Sequence, residues 1–186
     1  MDLDKAIKSR SSVRKFNSKK PDWRDIIECI NSSRFIPVAG GIYNLKFILV
    51  DNPESIKKIS EACQQDFVAT AEYVVVVCSN PSRLVNSYGK DGEIYSRQHA
   101  GAAIQNFLLK IEEKGLATCW VGYFVESQIK HELKIPEDLK VEAVLPIGFA
   151  FEKKRTRKEP VELDRILYFN AYGKTKMQKD DQRQNV

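Results

Sequence analysis

The sequence predicts an α/β (α+β) fold in which helices flank a central sheet. Two observations carry this prediction: short apolar runs of strand length alternate with longer segments of helical periodicity, and turn residues separate them. The chain has 186 residues, 42% of them hydrophobic and 30% charged, which suits one globular domain. We expect that domain to span residues 1–173 and a polar, disordered tail to follow at 174–186.

Five segments have the pattern of helices, and two of them carry clear end signals. Asp22 is a capping residue, and it precedes an apolar face at i, i+3, i+4 and i+7 spacing. Gly115 is suited to end the longest helix. The face after Asp22 consists of Trp23, Ile26, Ile27 and Ile30. The predicted helices are Asp2–Ser9, the one that Asp22 caps, Pro53–Phe67, Glu93–Lys114 and Glu126–Leu133.

Four segments are predicted strands, and the segments between them are predicted loops. We expect Pro146 to bend its strand or to place it at a sheet edge, because proline cannot donate to a strand ladder. Pro37–Gly41 is predicted as a loop and Ser79–Gly92 as polar, irregular chain. The predicted strands are the buried runs Leu45–Val50 and Tyr73–Cys78, followed by Leu116–Val121 and Lys140–Phe151.

Charge and composition argue against several classes of protein. The net charge is +5, but Glu152–Lys158 carries a net +4 and 174–186 a net +2, so the remainder is almost neutral. A nucleic-acid-binding protein usually clusters basic residues over one folded face, so we expect no nucleic-acid partner. The longest apolar run, Val74–Cys78, is far too short to cross a membrane, and the N-terminus lacks the pattern of a signal peptide. We therefore expect a cytoplasmic protein with no membrane partner.

Few metal ligands are available in the sequence. The only histidines are His99 and His131, and no two of the four cysteines have C-x-x-C spacing. We expect no dedicated metal site, and we expect Cys29 and Cys78 to be reduced residues of the core.

Two basic motifs could bind an anion. In Arg10–Phe16, two arginines four residues apart flank two serines, and guanidinium groups pair bidentately with phosphate. Lys153–Pro160 is a second basic run, beyond the last predicted strand. The alternative for each is a solvated, purely surface segment.

Two further motifs could accommodate a flat ligand. Gly40–Gly41 precedes a buried strand and allows close approach of the backbone, although such a pair is often an ordinary turn. Gly101–Phe124 combines a helix bearing small residues with Trp120-Val121-Gly122 at a strand end, where ligands of open α/β sheets gather. Asn106, among apolar residues of that helix, is as compatible with a structural role as with a functional one.

Together these motifs resemble the nitroreductase family over about residues 4–173. The resemblance rests on R-x-S-x-R at Arg10, Ser12 and Arg14, on the block from Ala103 to Gly122, and on the Leu-Pro-Ile-Gly strand at Leu145–Gly148. It implies a mixed or antiparallel central sheet, FMN as cofactor, and NADH or NADPH as electron donor. It also implies an intertwined homodimer in which both chains line the flavin, and a nitroaromatic, quinone or similar small planar electron acceptor.

The resemblance also implies roles for particular residues. The FMN phosphate, ribityl chain and N1–O2 edge of the ring would be contacted by Arg10, Ser11, Ser12 and Arg14. The pyrimidine edge of the ring would be contacted by Gln64 or Gln65. The backbone amide of Gly122 or Tyr123 would donate to N5. No side chain is implied as a catalytic acid or base. The remaining implied cofactor-binding residues are Ala39, Gly40 and Gly41 before the first strand, and Arg155 and Arg157 at the phosphate.

Two alternatives remain open at this stage. The loop reads A-G-G-I-Y rather than the P-S-x-x-N form common in the family, as in a branch that includes azoline-oxidising enzymes. One alternative is therefore an FMN-dependent oxidase or dehydrogenase of a specialised substrate, and the other is a non-catalytic FMN-binding protein.

The dimer is expected to form mainly on the helix Gly101–Ile111. Gly101, Ala102 and Ala103 would let two helices approach closely, and an arm at Asp164–Tyr172 would add contact area. The alternative is a central core helix within one chain. The apolar residues expected at the interface are Ile104, Phe107, Leu108 and Ile111.

Overall fold

The computed structural model describes residues 1–152 and 159–177. The chain divides into two compact units, Met1–Arg155 and Thr156–Val186. The single domain predicted for residues 1–173 stays a prediction. Arg155 and Arg157, predicted to contact phosphate, lie outside the described residues, as does most of the predicted tail.

The first unit contains a four-stranded sheet in the order β1-β2-β4-β3, in which every neighbouring pair is antiparallel. The prediction of a central, antiparallel sheet flanked by helices is confirmed. The strands are β1 (Leu45–Val50), β2 (Tyr73–Ser79), β3 (Ala117–Thr118) and β4 (Lys140–Gly148).

Six α-helices accompany this sheet in the described part of the chain. Three of them begin at side-chain caps, because Asp2, Asp22 and Asn52 each accept a hydrogen bond from a backbone N–H of the first turn. The helices are α1 (Leu3–Ser9), α2 (Trp23–Ser32), α3 (Pro53–Cys63), α4 (Ser82–Tyr88), α5 (Asp91–Glu113) and α6 (Glu126–Leu133).

The helices cover both faces of the sheet and form two cores. On one face, α3 and α6 pack through Ile59 and Ile129 against Val76 and Val144. On the other face, α2 and α5 pack against β2 and β4, and Phe107 of α5 is completely buried. The layers are therefore helix, sheet, helix, and every residue of β2 is buried.

Several sequence predictions of single elements are wrong. Ser79–Gly92 is not irregular, because α4 occupies residues 82–88 and packs against α5. The buried face of α2 differs from the predicted one, because Cys29 is buried, whereas Trp23 and Ile27 are 46% and 47% exposed. The first strand is buried only at its two ends, since β1 is an edge strand.

The remaining two strands also differ from their predicted form. The third is reduced to the two residues of β3, with one further bridge between Val121 and Val144. Pro146 lies in β4, which is an inner strand rather than an edge strand. Val144 exchanges two hydrogen bonds with Val121, which follows β3 in the chain. In an antiparallel pair, backbone groups two residues apart face the same neighbouring strand, so the nitrogen of Pro146 faces this side too. Proline has no N–H to donate there, and the pairing with β3 is interrupted at this point.

Helix α5 is a core helix of the single chain. Ile104, Phe107, Leu108 and Ile111 are all buried within the core on the α2 face. The prediction that these four residues supply a dimer interface is wrong, and the alternative of a central core helix holds for them. Dimerisation itself stays a prediction.

The second unit is described at residues 159–177. It contains a 3₁₀ turn at Leu163–Arg165 and a pair of tyrosine rings, Tyr168 and Tyr172, with centroids 4.7 Å apart. Leu163 and Ile166 are 66% and 64% exposed. The predicted arm at Asp164–Tyr172 stays a prediction.

Within the described residues, the helices include none with the length and apolar character needed to cross a membrane.

Candidate functional site

The segment with two arginines runs along the open edge of β3. Ser12 bridges Thr118 in parallel, and the Val13 N–H donates to the Thr118 carbonyl at 2.9 Å. Further on, Phe16 bridges Ala150. The segment is therefore extended and held by backbone hydrogen bonds, which leaves the side chains of Arg10, Ser12 and Arg14 free to bind a ligand.

Arg14 reaches the turn that follows α3. Its guanidinium carbon lies 5.9 Å from the centre of the Phe67 ring, in a cation–π contact. Gln64, just before this turn, has left-handed backbone with φ of 54°, and its side chain is exposed. Gln65 turns back on the chain, with its side-chain nitrogen 3.5 Å from the Cys63 carbonyl oxygen.

The chain that leaves β3 returns to the same place. Val121 pairs with Val144, and the Val125 N–H then donates to the Ala62 carbonyl at the end of α3 at 2.8 Å. Gly122 and Tyr123 lie between these two anchors and are exposed. Among the described residues, neither of their backbone N–H groups has a hydrogen-bond acceptor.

These three segments, residues 10–14, 62–67 and 118–125, form what we call the β3-edge site. Arg10 and Arg14 form no ion pair with any carboxylate of the described residues, so both are free to bind an anion. Burial raises the pKa of the Cys63 thiol to about 11, which keeps it protonated and unreactive. The site thus combines cations and open backbone donors, and such a donor set suits a phosphorylated, partly anionic cofactor such as FMN.

Ser11 lies apart from Arg14. It lines a cavity of about 360 Å³ together with Lys5 of α1 and Glu112 at the end of α5. Arg14, in contrast, lies over Phe67, which packs on the α3 face of the sheet. Ser11 and Arg14 therefore have different surroundings, and the predicted contact of Ser11 with the cofactor stays a prediction.

The Ala39–Gly41 segment, which we call the glycine turn, lies at the opposite edge of the sheet. It is a 3₁₀ turn with φ of 57° at Gly40 and 68° at Gly41, and it leads into the edge strand β1. Three strand spacings, roughly 14 Å, separate β1 from β3. A single chain therefore keeps the glycine turn and the β3-edge site apart.

Phe67 and His99 contribute to these two places without having been predicted to do so, and Trp120 adds a ring at the predicted strand end. Phe67 carries the contact with Arg14, and Trp120, 41% exposed, presents an aromatic ring next to Gly122. His99 accepts a hydrogen bond from Ala39 at 2.9 Å. No sequence signal marked Phe67 or His99, because their contacts join segments more than 50 residues apart.

The chain belongs to the nitroreductase family, whose model matches residues 7–69 and 60–149. A protein of Archaeoglobus fulgidus, provisionally named an NADH dehydrogenase/NAD(P)H nitroreductase, is 28% identical over 155 residues. That match covers 81% of this chain and 86% of the relative.

Solved structures share the fold at lower identity. The chain is similar to an FMN-dependent nitroreductase of Clostridium difficile R20291, with a TM-score of 0.78 and 21% identity over 90% of this chain and 98% of the other. It is also similar to the NADPH:FMN oxidoreductase of Vibrio harveyi complexed with NAD⁺, with a TM-score of 0.80 and 18% identity. That likeness covers 91% of this chain and 77% of the other. At these identities, the likeness establishes the fold.

Proposed function

We propose that the protein is an FMN-dependent oxidoreductase that takes electrons from NADH or NADPH and passes them to a small planar acceptor, such as a nitroaromatic or a quinone. The observation that carries the proposal is the β3-edge site, which contains Arg14, without an ion-pair partner among the described residues, and the open backbone amides of Gly122 and Tyr123, in a chain of this family. FMN, when bound, supplies the hydride-accepting and electron-donating chemistry.

The arginines hold and tune the anionic parts of the cofactor. Arg10 and Ser12 bind the phosphate and ribityl chain, and Arg14 lies at the ring edge that gains negative charge on reduction. A charge-assisted hydrogen bond of this kind contributes about 1.5–3 kcal/mol, enough to favour the reduced state. The phosphate contacts predicted for Arg155 and Arg157 stay a prediction, because both residues lie outside the described part of the chain.

Backbone and amide groups orient the ring. The N–H of Gly122 or Tyr123 donates to N5, a role that requires no particular side chain. Gln64 rather than Gln65 contacts the pyrimidine edge, because the Gln65 side chain is turned back towards Cys63. Two exposed rings nearby, Trp120 and Tyr123, give a planar acceptor an aromatic surface on which to stack.

A second copy of the chain supplies the glycine turn. Ala39, Gly40 and Gly41 lie three strands from the β3-edge site of their own chain, which supports a flavin lined by two chains rather than by one. The functional unit is therefore proposed to be a homodimer with two composite sites. Ser11, which lines the cavity beside α1, is proposed to support the segment rather than contact the ring.

Cofactor analysis and steady-state kinetics test the proposal. Mass spectrometry of the released flavin should give FMN, since no G-x-G-x-x-G follows a strand to hold the pyrophosphate of FAD. Initial rates at varied NADPH and varied quinone should give parallel double-reciprocal lines, as expected when donor and acceptor use one slot in turn. Intersecting lines would contradict the two-step exchange. Turnover of neither a nitroaromatic nor a quinone would favour the oxidase or the non-catalytic alternative.

A further inference from the structure

A buried chain of hydrogen bonds lies beneath the glycine turn. The Ala39 N–H donates to Nε2 of His99 at 2.9 Å, and Nδ1 of His99 lies 3.0 Å from the side-chain oxygen of Asn44. The Asn44 side-chain nitrogen then donates to the Ser96 hydroxyl at 2.7 Å. His99, Asn44 and Ser96 are 5%, 7% and 2% exposed, so water does not compete for these bonds.

These bonds admit one protonation state of His99. A backbone N–H can only donate, so Nε2 must be the unprotonated, accepting nitrogen. The ring proton therefore lies on Nδ1 and is donated to Asn44. Burial lowers the pKa of His99, which favours this neutral form.

Two further features bound the glycine turn, one hydrogen bond within it and one side chain packed on it. Within the turn, the Ile42 N–H donates to the Ala39 carbonyl at 3.0 Å. From outside, Tyr88 of α4 packs against Gly40, where an added Cβ would come within 2.5 Å of the tyrosine oxygen. Tyr88 in turn packs edge-to-face on Tyr95, with ring centroids 5.2 Å apart. His99 thus holds the start of the turn while the tyrosine pair bounds its middle.

We propose that neutral His99 is a positioning residue for the cofactor. By accepting the Ala39 N–H, it fixes the Ala39–Gly41 backbone in the position from which the turn is proposed to contact FMN. The proposal rests on the function proposed above and adds a residue that never touches the flavin. Its effect passes through the Ala39 N–H. The acceptor at the Nε2 position is therefore the essential atom, and the contact with Asn44 orients the ring.

Three variants at position 99 separate positioning from general stability. In His99→Gln, the amide oxygen extends far enough to replace Nε2 as the acceptor for Ala39. In His99→Asn the side chain reaches only as far as Nδ1, and in His99→Leu no acceptor remains. Ile111→Val, in a buried position of the same helix, is the matched control for lost stability. Each protein is measured for FMN affinity, for the visible circular dichroism of bound FMN and for thermal unfolding.

We expect FMN affinity to separate His99→Gln from the other two variants. His99→Gln should keep FMN affinity within about twofold, whereas His99→Asn and His99→Leu should lose roughly five- to tenfold and change the visible dichroism. If His99→Leu does not fold, the comparison of Gln with Asn decides. Wild-type affinity and dichroism in His99→Asn would overturn the inference, as would equal losses in Gln and Asn that track only their unfolding temperatures. Wild-type protein without FMN affinity would overturn the proposed function itself, and this inference with it.

Discussion

The guanidinium carbon of Arg14 lies 5.9 Å from the centre of the Phe67 ring. This contact joins the segment along the β3 edge to the turn after α3, although the two residues are far apart in the chain. The aromatic face holds the side chain without neutralising its charge. Arg14 is therefore oriented by the ring and, among the described residues, has no carboxylate partner that would compete with an anion.

The first prediction concerns that free charge. Arg14→Ala should raise the FMN dissociation constant about ten- to a hundredfold, as expected for the loss of about 1.5–3 kcal/mol, and should slow flavin reduction. Fluorescence titration and stopped-flow reduction measure the two effects. Arg24→Ala is the matched control, because Arg24 also lies over an aromatic ring, 4.7 Å from that of Trp23, but outside the β3-edge site. Equal effects of the two substitutions would indicate that Arg14 acts only through net charge.

A second prediction compares two adjacent glycines. Gly40 and Gly41 both have positive φ, so alanine at either position should cost about 1–2 kcal/mol in backbone strain. At Gly40 the new Cβ would also meet the Tyr88 oxygen at 2.5 Å, whereas at Gly41 nothing lies within 4 Å. Gly40→Ala should therefore lower the free energy of unfolding more than Gly41→Ala, as urea denaturation at one protein concentration would measure. Adding Tyr88→Phe should recover part of the difference, and no recovery would mean that the predicted clash does not occur.

A third prediction tests the dimer at a position that the single chain leaves open. Ala103 is fully buried, so a large residue there would disrupt the core instead of an interface. A Cβ at Gly101, in contrast, would meet nothing within 4 Å. Gly101→Arg should yield a folded monomer with weakened FMN binding, whereas Gly101→Ala should remain a dimer. Light scattering and flavin titration measure both properties, and a fully active Gly101→Arg dimer would place the interface elsewhere.

A fourth prediction follows from the buried histidine. Burial lowers the pKa of folded His99 below its ordinary value of 6.5. Between the folded-state pKa and pH 6.5, the unfolded chain therefore binds more protons than the folded protein. The stabilisation is fully present above pH 6.5 and is lost as the pH falls towards the folded-state pKa. His99→Gln should therefore flatten the decline of the free energy of unfolding below pH 6.5, whereas Ile111→Val, which removes no titratable group, should not. An unchanged slope in His99→Gln would exclude the buried neutral histidine.

The sequence was sufficient to predict most helices and the inner strands. Local signals determine these elements: Asp22 caps α2, Asn52 and Pro53 begin α3, and the unbroken apolar run of β2 requires burial on both faces. Helix α6 begins and ends at the predicted residues, Glu126 and Leu133. Local patterns do not reveal strand order, so the position of Pro146 in an inner strand could not be derived from them.

The candidate site was predictable only in part. The resemblance to the nitroreductase family identified Arg10, Arg14 and Gly122, because they belong to short motifs whose residue types and spacing match those of the family. The separation of the glycine turn from the β3-edge site depends on tertiary topology, and so does the burial of α5 within its own chain. The hydrogen bond from Ala39 to His99 joins residues 60 apart, and a single sequence carries no sign of it.

Anaerobic reduction of the purified protein tests whether bound FMN takes electrons from a nicotinamide donor. Protein that carries FMN is mixed without oxygen with an equimolar amount of NADPH, and in parallel with NADH, while the absorbance of oxidised flavin is followed. We expect the yellow colour to bleach within seconds with at least one of the two donors and to return when a quinone is added. Flavin that stays oxidised with both donors, or protein that binds no flavin, would contradict it.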